Sequence, residues 1–386
     1  MPHSLRRRPA PIRFAFGAVA ALCLTAGAAT ADAPRTFDTS AGKIEVTREA
    51  GPFEHPWSVA FLPDGQQLVT ERDGRLLLLS FGKTTEVAGV PEVWARGQGG
   101  LLDVAVSRDF DRSGVIFLSF SESADGGART AVARGELSMV GEPELLNVET
   151  IWRQAPVLRG RRHFGSRIVI AEDGALFVTT GDRGERERAQ DLGNHVGKVV
   201  RILPSGQAAP DNPFVSRGDA LPEIWSYGHR NVQGAALRPS DGALWTVEHG
   251  AAGGDEINQP RAGRNYGWPT ISFGTHYSGA KIGVGTTAPG MQQPRFYWDP
   301  SIAPSGLSFY DGDLFPEWKG DLFVGALKYR LISRLDMDGD QVVGEERLLE
   351  DAFGRVRDVR TGPDGAIWFL TDDSEGALYR IAPVGR

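Results

Sequence analysis

The amino-acid sequence predicts an all-β protein, a six-bladed β-propeller of four-stranded antiparallel blades. Two observations predict this fold. A hairpin pattern recurs six times, and the 386 residues include 49 Gly and 24 Pro, which suits short strands joined by tight turns rather than long helices. With 41% hydrophobic and 24% charged residues, the composition excludes a disordered tail, a coiled coil, a disulfide scaffold and a multispan membrane protein.

The repeated unit is an apolar alternating run, a turn that contains Asp-Gly or a related pair, and a second apolar run. Its six copies span residues 57–71, 101–120, 167–181, 234–250, 306–326 and 356–372. Asp-Gly between two alternating runs predicts a hairpin, because a two-residue turn needs the positive φ that glycine adopts freely. Six evenly spread and mutually similar hairpins favour radial repetition over a β-sandwich with several hairpins.

The segment 43–49 (KIEVTRE) precedes the first copy. We expect it to return to the last blade and close the ring, which removes exposed strand edges. Two long loops between the copies, 182–233 and 250–305, are rich in Gly, Pro and Arg and also contain several Trp and Tyr residues. These aromatic residues indicate functional loops rather than disorder. We therefore expect a binding site over the central channel on one face.

The first residues predict export. A basic segment precedes an apolar stretch, 14–28, that is short for a membrane span, and residues 29–31 (Ala-Thr-Ala) match a small-x-small cleavage pattern. We expect a secretory signal peptide at 1–31, a propeller domain at 32–386, a periplasmic location and no stable membrane insertion. Adjacent arginines leave both the general secretory route and the twin-arginine route open.

Charge and cysteine content narrow the possible partners. The chain has 42 basic and 49 acidic residues, and removal of the signal takes away four arginines and no acid, which changes the formal charge from −7 to −11. This balance argues against a nucleic-acid partner. The single cysteine, Cys23, lies in the predicted signal, so the mature chain has no thiol for catalysis or metal binding.

Two short motifs offer proton and charge chemistry. His163 lies in RRHFGSR (161–167), just before the third hairpin, where it could exchange a proton near neutral pH, although position alone favours an ordinary loop histidine. Arg230 and Asn231 stand side by side in SYGHRNVQG (226–234). A guanidinium next to an amide suits carboxylate or carbonyl oxygens, whereas the alternative is a solvated ion pair.

A glycine loop offers a possible calcium site. Residues 250–254 (Gly-Ala-Ala-Gly-Gly) precede Asp255 and Glu256. Backbone carbonyls and carboxylates together are the oxygen ligands that Ca²⁺ prefers, because Ca²⁺ is a hard cation. From the residues alone, a calcium loop and a turn with a solvated acidic pair are equally good interpretations.

Three cations indicate an anionic ligand. Arg355 and Arg357 are two residues apart on a predicted strand and so face the same side, and Lys328 ends the preceding repeat. If they converge on the channel mouth of an acidic protein, they predict a ligand with several carboxylates or phosphates. The alternative is that they are ordinary residues of a solvated edge.

Seven motifs, in order, cover nearly the whole mature chain: GQGGLLD (97–103), RRHFGSR (161–167), AQDLGNHVGKVVRI (189–202), SYGHRNVQG (226–234), EHGAAGGDEIN with NYGWP (248–258 and 265–269), GALK (325–328) and RVRDVRTGPDG (355–365). Together they resemble the soluble pyrroloquinoline quinone (PQQ)-dependent aldose sugar dehydrogenases of the glucose/sorbosone dehydrogenase family. This resemblance implies a six-bladed propeller that binds PQQ and Ca²⁺ on its upper face, in agreement with the repeat count.

The resemblance also implies residue roles. His163 would be the general base that takes the proton of the anomeric hydroxyl while the C1 hydride passes to PQQ, and Arg230 would stabilise the charge that develops on oxygen. The residues implied in PQQ binding are Gln98, Arg230, Asn231, Tyr277, Lys328, Arg355 and Arg357. One Ca²⁺ would be held by the carbonyls of Gly250 and Ala251, and a structural Ca²⁺ by the Glu256 side chain and the Tyr266 carbonyl.

The expected function is therefore oxidation of aldose sugars to lactones, with electrons passed on to an unidentified acceptor, a cytochrome or a quinone. Two alternatives stay open, a Ca²⁺-dependent lactonase propeller and a non-catalytic binding propeller. A hydrolase has no reason to hold Arg230, Lys328, Arg355 and Arg357 around one cavity. A binding module would be favoured if added PQQ neither changed its absorbance nor stabilised the protein.

Overall fold

Twenty-five strands form six antiparallel sheets in the computed structural model, which describes residue 1 and residues 33–385. The sheets follow one another along the chain, so each sheet is one blade and the predicted six-bladed β-propeller is confirmed. The signal peptide expected at 1–31 lies, apart from Met1, outside the described residues and stays a prediction. In the described part of the chain, no helix is long and apolar enough to cross a membrane.

The first two strands are β1 (Arg35–Thr39) and β2 (Gly42–Phe53). Blade 1 consists of β3 (Pro56–Phe61), β4 (Gln67–Glu71), β5 (Leu76–Ser80) and β6 (Lys83–Glu86). Blade 2 consists of β7 (Leu101–Val106), β8 (Val115–Ala124), β9 (Gly127–Ser138) and β10 (Glu144–Arg153). Blade 3 consists of β11 (Ile168–Ile170), β12 (Leu176–Thr179), β13 (Lys198–Ile202) and β14 (Ile224–Tyr227).

Blade 4 consists of β15 (Val232–Leu237), β16 (Leu244–Glu248), β17 (Asp255–Asn258) and β18 (Phe296–Trp298). Blade 5 consists of β19 (Pro304–Phe309), β20 (Leu322–Ala326), β21 (Leu331–Asp338) and β22 (Gln341–Leu348). The last strands are β23 (Val356–Thr361), β24 (Ile367–Thr371) and β25 (Gly376–Pro383). The described helices are short: α1 (Phe110–Ser113) and two 3₁₀ turns (Arg186–Gln190 and Pro316–Trp318).

Blade 6 closes the ring with chain from both ends. Strand β2 pairs antiparallel with β25, with Val46 opposite Ile381, so the expected return of residues 43–49 to the last blade is confirmed. Strand β1 pairs with the other edge of β2 and gives this blade five strands, whereas each of the other blades has four. Closure joins residues that are far apart in sequence and leaves no open blade at the seam.

The inner strands β3, β7, β11, β15, β19 and β23 contact one another around the central axis. Each sheet is covered on both faces by its neighbours, which is why β12 and β20 are buried along their whole length. A hydrophobic cluster fills each of the six spaces between consecutive described blades. The apolar runs of the repeated hairpins supply these clusters, because both faces of each blade must leave water.

The hairpin turns differ from the two-residue turns that the Asp-Gly pattern predicted. In blade 1, Leu62 N donates to Gln66 O (2.8 Å) and Gly65 N donates to Leu62 O (2.9 Å), which makes a three-residue loop. Gly65 has φ of +86°. A type I turn followed by a left-handed glycine produces this geometry, so the glycine is needed for the predicted reason but at the third loop position.

Candidate active site

A cavity of about 480 Å³ opens where the inner strands begin, at one end of the central channel. Its volume lies within the ~300–1,000 Å³ that is usual for cofactor and small-molecule sites. All six blades contribute to its wall, either from the start of an inner strand or from an adjacent loop. The lining residues are His55, Trp57, Arg72, Gln98, Leu102, Phe164, Gly165, Asn231, Gln233, His249, Ala303, Leu327, Arg355, Arg357, Asp372, Asp373 and Ser374.

His163 is fixed by a chain of hydrogen bonds. It lies in the loop before β11, and its Nδ1 is 2.6 Å from Oδ1 of Asp182. The other carboxylate oxygen of Asp182 accepts a hydrogen bond from the indole nitrogen of Trp268 (2.9 Å). The backbone N–H of His163 donates to Oε1 of Gln98 (2.7 Å), and Gln98 lines the cavity. His163 does not itself line the cavity, but Gln98 and the two residues after His163, Phe164 and Gly165, do, so His163 lies next to the cavity wall.

The surroundings of His163 decide its protonation. Burial lowers the pKa of His163 and Arg230 lowers it further, while Asp182 raises it, and the net shift is downward. Burial raises the pKa of Asp182, but its bonds to His163 and to the backbone lower it more, so this carboxyl is ionised. At neutral pH the proton is then on Nδ1, facing Asp182. Nε2 is left as an acceptor, and no hydrogen bond within residues 33–385 reaches it.

Arg230 is buried beside the cavity. Its backbone N–H donates to Oε2 of Glu248 (2.6 Å), and its Nη1 donates to the carbonyl of His249 (3.2 Å). The guanidinium lies 5.3 Å from the ring centroid of Trp268. Its Nε is buried without a hydrogen-bond partner among the described residues. A fixed cation with a free donor is suited to an oxygen that gains negative charge.

Two amide side chains line the cavity. The Oδ1 of Asn231 accepts a hydrogen bond from Gly165 N–H (3.2 Å), and the Oε1 of Gln98 accepts from His163 N–H. Both amide oxygens are therefore bound by protein backbone, which leaves the NH₂ groups available as donors. The structure thus brings Gln98, Arg230, Asn231 and His163 to one end of the channel.

Arginines form the opposite side of the cavity. Arg355 and Arg357 both line it, as does Arg72 from the loop after β4. Nη2 of Arg357 lies 2.5 Å from Oδ2 of Asp372, and Nη2 of Arg355 lies 3.5 Å from the same oxygen. Three guanidinium groups around one carboxylate leave this wall with an excess of positive charge, in agreement with the expected anionic ligand.

Three residues implied in cofactor binding lie outside the wall of the large cavity: Arg230, which lines only the small cavity next to it, Lys328 and Tyr277. Lys328 is exposed, with its Nζ 4.9 Å from the ring centroid of Tyr329, and the neighbouring Leu327 lines the cavity instead. Tyr277 is 83% exposed in the long loop between β17 and β18. Both side chains lie on the solvated surface, so the structure does not join them to the arginine wall.

A second cavity of about 10 Å³ adjoins the first, because His249 lines both. It has room for a single water-sized occupant. Gly250, Glu256 and Tyr266, three of the four residues implied as metal ligands, line it. Burial and the nearby Glu248 raise the pKa of Glu256 to about 8, since two carboxylates share a dry space. Arg230 lines the same cavity, but among the described residues no cation offsets the upward shift of the Glu256 pKa.

The glycine loop is built for close backbone approach. A Cβ at Gly250 would lie 2.1 Å from the carbonyl oxygen of Gly253, and Gly253 has φ of +94°. Ala251 is buried in the same loop but does not line the small cavity. Asp255, one of the two acids of the candidate calcium loop, accepts hydrogen bonds from Gly250 N (2.8 Å) and Ile302 N (2.8 Å), so its carboxylate closes the loop.

Among residues 33–385, no group of three or more His, Cys, Asp or Glu side chains is arranged to hold a metal ion. A cation in the small cavity would therefore depend on backbone carbonyl oxygens as well as side chains. Asn258 lies beside this site but does not line it, and its Nδ2 donates to Oε1 of Glu248 (3.1 Å) and Oε2 of Glu256 (3.1 Å). An oxygen-only donor set suits Ca²⁺ rather than a transition metal.

The family model described as Glucose / Sorbosone dehydrogenase matches residues 53–380. The aldose sugar dehydrogenase YliI of Escherichia coli (strain K12) is 45% identical over 377 residues, which cover 96% of this chain and 99% of that protein. The chain belongs to the glucose/sorbosone dehydrogenase family. It is an oxidoreductase, and the resemblance drawn from the seven motifs is confirmed.

Solved structures agree with this family membership. The soluble aldose sugar dehydrogenase of Escherichia coli, crystallised in the apo form, has a TM-score of 0.85 at 45% identity and covers 88% of this chain and 99% of that chain. The PQQ-bound aldose sugar dehydrogenase of Streptomyces coelicolor has a TM-score of 0.74 at 26% identity and covers 91% of this chain and 99% of that chain.

In this glucose/sorbosone dehydrogenase, sequence reasoning missed the carboxylates that hold the cavity side chains. Asp182 orients His163, and Asp372 holds the arginines. A signal for them exists. In four of the six hairpins an acid stands at or just after the end of the second strand, namely Glu71, Asp182, Glu248 and Asp372. An acidic residue that recurs within three residues of the end of the second strand would have marked these four residues as a set.

Proposed function

We propose that this protein is a periplasmic quinoprotein dehydrogenase that oxidises aldose sugars at C1 to lactones with PQQ and Ca²⁺. The observation that carries the proposal is the His163–Asp182 pair at the edge of a cavity whose opposite wall holds three arginines. A base suits a neutral sugar that must lose a proton, and a cationic wall suits a polycarboxylate cofactor. The PQQ-bound state of the Streptomyces coelicolor relative supports this choice of cofactor.

His163 acts as the general base. Because Asp182 accepts the Nδ1 proton, Nε2 is free to take the proton of the anomeric hydroxyl. The carboxylate then stabilises the imidazolium that forms, and Trp268 keeps the carboxylate in place. A base positioned in this way accelerates a reaction by about 10²–10⁴-fold.

Arg230 stabilises the developing negative charge. Its free Nε and its buried position make it a preorganised donor that needs no rearrangement during the reaction. Its charge also lowers the pKa of His163, which keeps the base unprotonated near neutral pH. The same guanidinium therefore supports both proton removal and charge stabilisation.

The cavity wall fits PQQ. Bound PQQ supplies a quinone that accepts a hydride, and it carries three carboxylates. Arg355 and Arg357 would bind these carboxylates, and the buried Nε of Arg357 has no partner among the described residues. The NH₂ groups of Gln98 and Asn231 would donate to other cofactor oxygens. Lys328 and Tyr277 would reach the cofactor only by moving in from the rim.

The small cavity fits Ca²⁺. Burial and the charge of Glu248 raise the pKa of Glu256, and a bound cation would keep it ionised. The cavity has room for one of the two proposed ions, the structural one, which Glu256 and the carbonyl of Tyr266 would hold. The carbonyls of Gly250 and Ala251 would hold the catalytic ion outside it. A Ca²⁺ ion next to the larger cavity would polarise a cofactor carbonyl as a Lewis acid.

Export and electron transfer complete the proposal. We place the mature protein, residues 32–386, in the periplasm after cleavage behind Ala31. Its electrons pass to a cytochrome or a quinone. Detection of Ala31–Asp32 cleavage in secreted material, by N-terminal sequencing, tests the location separately from the chemistry.

The central experiment reconstitutes metal-free protein with PQQ and Ca²⁺ and measures reduction of an artificial dye by glucose and a panel of other aldoses. We expect turnover that needs both additions and stops on chelation. Lactone hydrolysis without PQQ would favour the lactonase alternative. Failure of PQQ to change its absorbance or to raise the unfolding temperature would favour a non-catalytic binding propeller.

A further inference from the structure

Asp372 bridges the cationic side chains of the cavity. It directly follows β24, and its side chain is only 7% exposed. One of its oxygens contacts Arg357 and Arg355, as described above, and the other lies 3.2 Å from Nδ1 of His55. Its backbone N–H also donates to the carbonyl of Arg355 (2.8 Å), which fixes the acid relative to the strand that carries the arginines. One carboxylate thus organises three cationic or potentially cationic groups.

The arginines need this carboxylate, because they repel one another. Burial lowers the pKa of Arg72, and the charges of Arg357 and Arg355 lower it as well, whereas Asp372 raises it. Burial raises the pKa of Asp372, but Arg357 and Arg72 hold it well below its ordinary value. The acid is therefore ionised, and it is the attractive centre of an otherwise repulsive group.

Pairing with Asp372 leaves specific donors free. The Nε of Arg357 and the Nε of Arg72 are both buried without a hydrogen-bond partner in the described part of the chain. Arg357 is further held from its other side, where Nη1 donates to Oε1 of Gln233 (3.1 Å). Both nitrogens belong to residues that line the cavity, so a small side-chain rotation on binding would let them donate to an acceptor that enters it.

We propose that Asp372 is a positioning residue for cofactor binding, an internal carboxylate that holds Arg357, Arg355 and His55 so that their remaining donors meet the carboxylates of PQQ. The inference rests on the proposed function. It goes further because it gives a negatively charged residue a favourable role in binding a negatively charged ligand. Preorganised guanidinium groups lose little freedom on binding, which strengthens affinity.

Two effects oppose each other when Asp372 is neutralised. Loss of its charge makes the cavity more positive, which by Coulomb attraction alone would tighten PQQ binding. Loss of its hold on the arginines allows them to separate, which weakens binding. If Asp372 positions the arginines, the second effect is larger. A fall in PQQ affinity on neutralisation of Asp372 therefore supports positioning, and a rise supports Coulomb attraction alone.

The experiment titrates PQQ into apo-protein in the presence of Ca²⁺ and follows the absorbance of PQQ and the unfolding temperature, without any sugar. Asp372→Asn should weaken PQQ binding by about 10- to 100-fold, the range expected when charge-assisted hydrogen bonds lose their geometry. The matched control is Glu375→Gln, three residues further along the same turn and exposed, which should leave the Kd unchanged.

A rescue experiment separates positioning from general damage. Asp372→Ala opens space for a small carboxylate, and added formate should restore much of the PQQ affinity, whereas chloride at equal ionic strength should not. Tighter or unchanged binding in Asp372→Asn, or no formate effect in a folded Asp372→Ala protein, would overturn the inference. If the wild-type protein itself fails to bind PQQ, the proposed function fails and the inference fails with it.

Discussion

Two groups of arginine and aspartate in the middle of the propeller differ in their balance of charge. The channel cluster consists of Arg167, Arg360, Asp103 and Asp358. Nη1 of Arg167 bonds Oδ1 of Asp103 (2.8 Å), and Nε of Arg360 bonds Oδ2 of Asp358 (3.1 Å). The Arg167 guanidinium lies 4.4 Å from the ring centroid of Trp57, which lines the cavity, so this cluster adjoins the cavity on the inner side. Two cations face two anions.

The cavity cluster consists of Arg72, Arg355, Arg357 and Asp372, where three cations face one anion. In the channel cluster, backbone groups also bind the acids, since Ile168 N–H donates to Asp103 (2.7 Å). In the cavity cluster, two guanidinium Nε atoms have no partner within residues 33–385.

The difference separates structural from ligand-binding charge. Buried charges are tolerated when they are paired, and every charge of the channel cluster has a partner of opposite sign within the protein. Even its two atoms without a hydrogen bond in the described structure, Nη2 of Arg167 and Oδ1 of Asp358, face each other at 3.2 Å. The cavity cluster has more cations than anions, so it can accept further negative charge from a ligand. Substitutions in the balanced channel cluster should therefore mainly lower stability, and substitutions in the unbalanced cavity cluster should mainly weaken ligand binding.

The largest effect is expected at the cavity, where His163→Asn should lower kcat by about 10²–10⁴-fold, because the variant has no base at the sugar hydroxyl. PQQ affinity should stay within about twofold, a change of only ~0.4 kcal/mol, since His163 faces the sugar rather than the cofactor carboxylates. Dye-reduction kinetics and PQQ titration measure the two quantities. A variant with more than a tenth of the wild-type kcat would remove His163 from the mechanism.

A substitution in the channel cluster should lower the free energy of unfolding. Asp103→Asn leaves Arg167 buried beside a neutral partner and should lower the free energy of unfolding by about 3–5 kcal/mol. Urea denaturation of the apo-protein measures it. The control Asp38→Asn removes the acid of an exposed pair with Lys43 and should change stability by less than about 1 kcal/mol. Equal losses in the two variants would contradict the distinction between the clusters.

Arg72→Gln should act in opposite directions on stability and binding. Burial and the neighbouring arginines disfavour the charge of Arg72, so its removal should leave the unfolding temperature of the apo-protein unchanged or raise it. PQQ affinity should fall about tenfold, because one donor of the unbalanced wall is lost. If the apo-protein is clearly destabilised and PQQ affinity is unchanged, Arg72 belongs with the structural charges.

The smallest expected effect is a shift in the pH dependence of kcat/KM. Only the neutral imidazole accepts a proton, so kcat/KM should rise with pH and level off above the pKa of His163, which lies below its ordinary value of 6.5. Asp182→Asn removes the carboxylate that raises this pKa, so the rise should move to lower pH while the maximal rate falls. The exposed Asp38→Asn variant should leave the profile in place. An upward shift in Asp182→Asn would contradict the assigned electrostatics.

Most of the fold could be predicted because its signal is local. Alternating apolar runs around Asp-Gly turns identify each hairpin within about fifteen residues. The details that failed depend on finer geometry. The turn at Gly65 has three residues rather than two, and β1 adds a fifth strand to the closing blade because an edge of β2 is available for pairing.

The candidate site was predicted in part. His163, Arg230, Arg355 and Arg357 belong to recognisable motifs, and the structure brings them to one end of the channel. Tyr277 and Asp255 show the limit of motif reading, since one side chain is exposed and the other closes a loop. A motif places a residue type in a segment, whereas its contacts depend on segments that approach from other blades.

The sequence by itself determined the blade count, the family and the segments that carry the chemistry, because periodicity and motifs are properties of neighbouring residues. Only the tertiary structure decided which charges meet. Asp182, which follows β12, contacts His163, which precedes β11, at the open end of their hairpin. Asp372 in the last blade contacts His55 at the start of the first, across the closure of the ring. Burial and neighbouring charges, which together shift the pKa values of His163, Asp182 and Asp372, exist only when six blades pack around one channel, and so does the balance of arginines and acids along the axis.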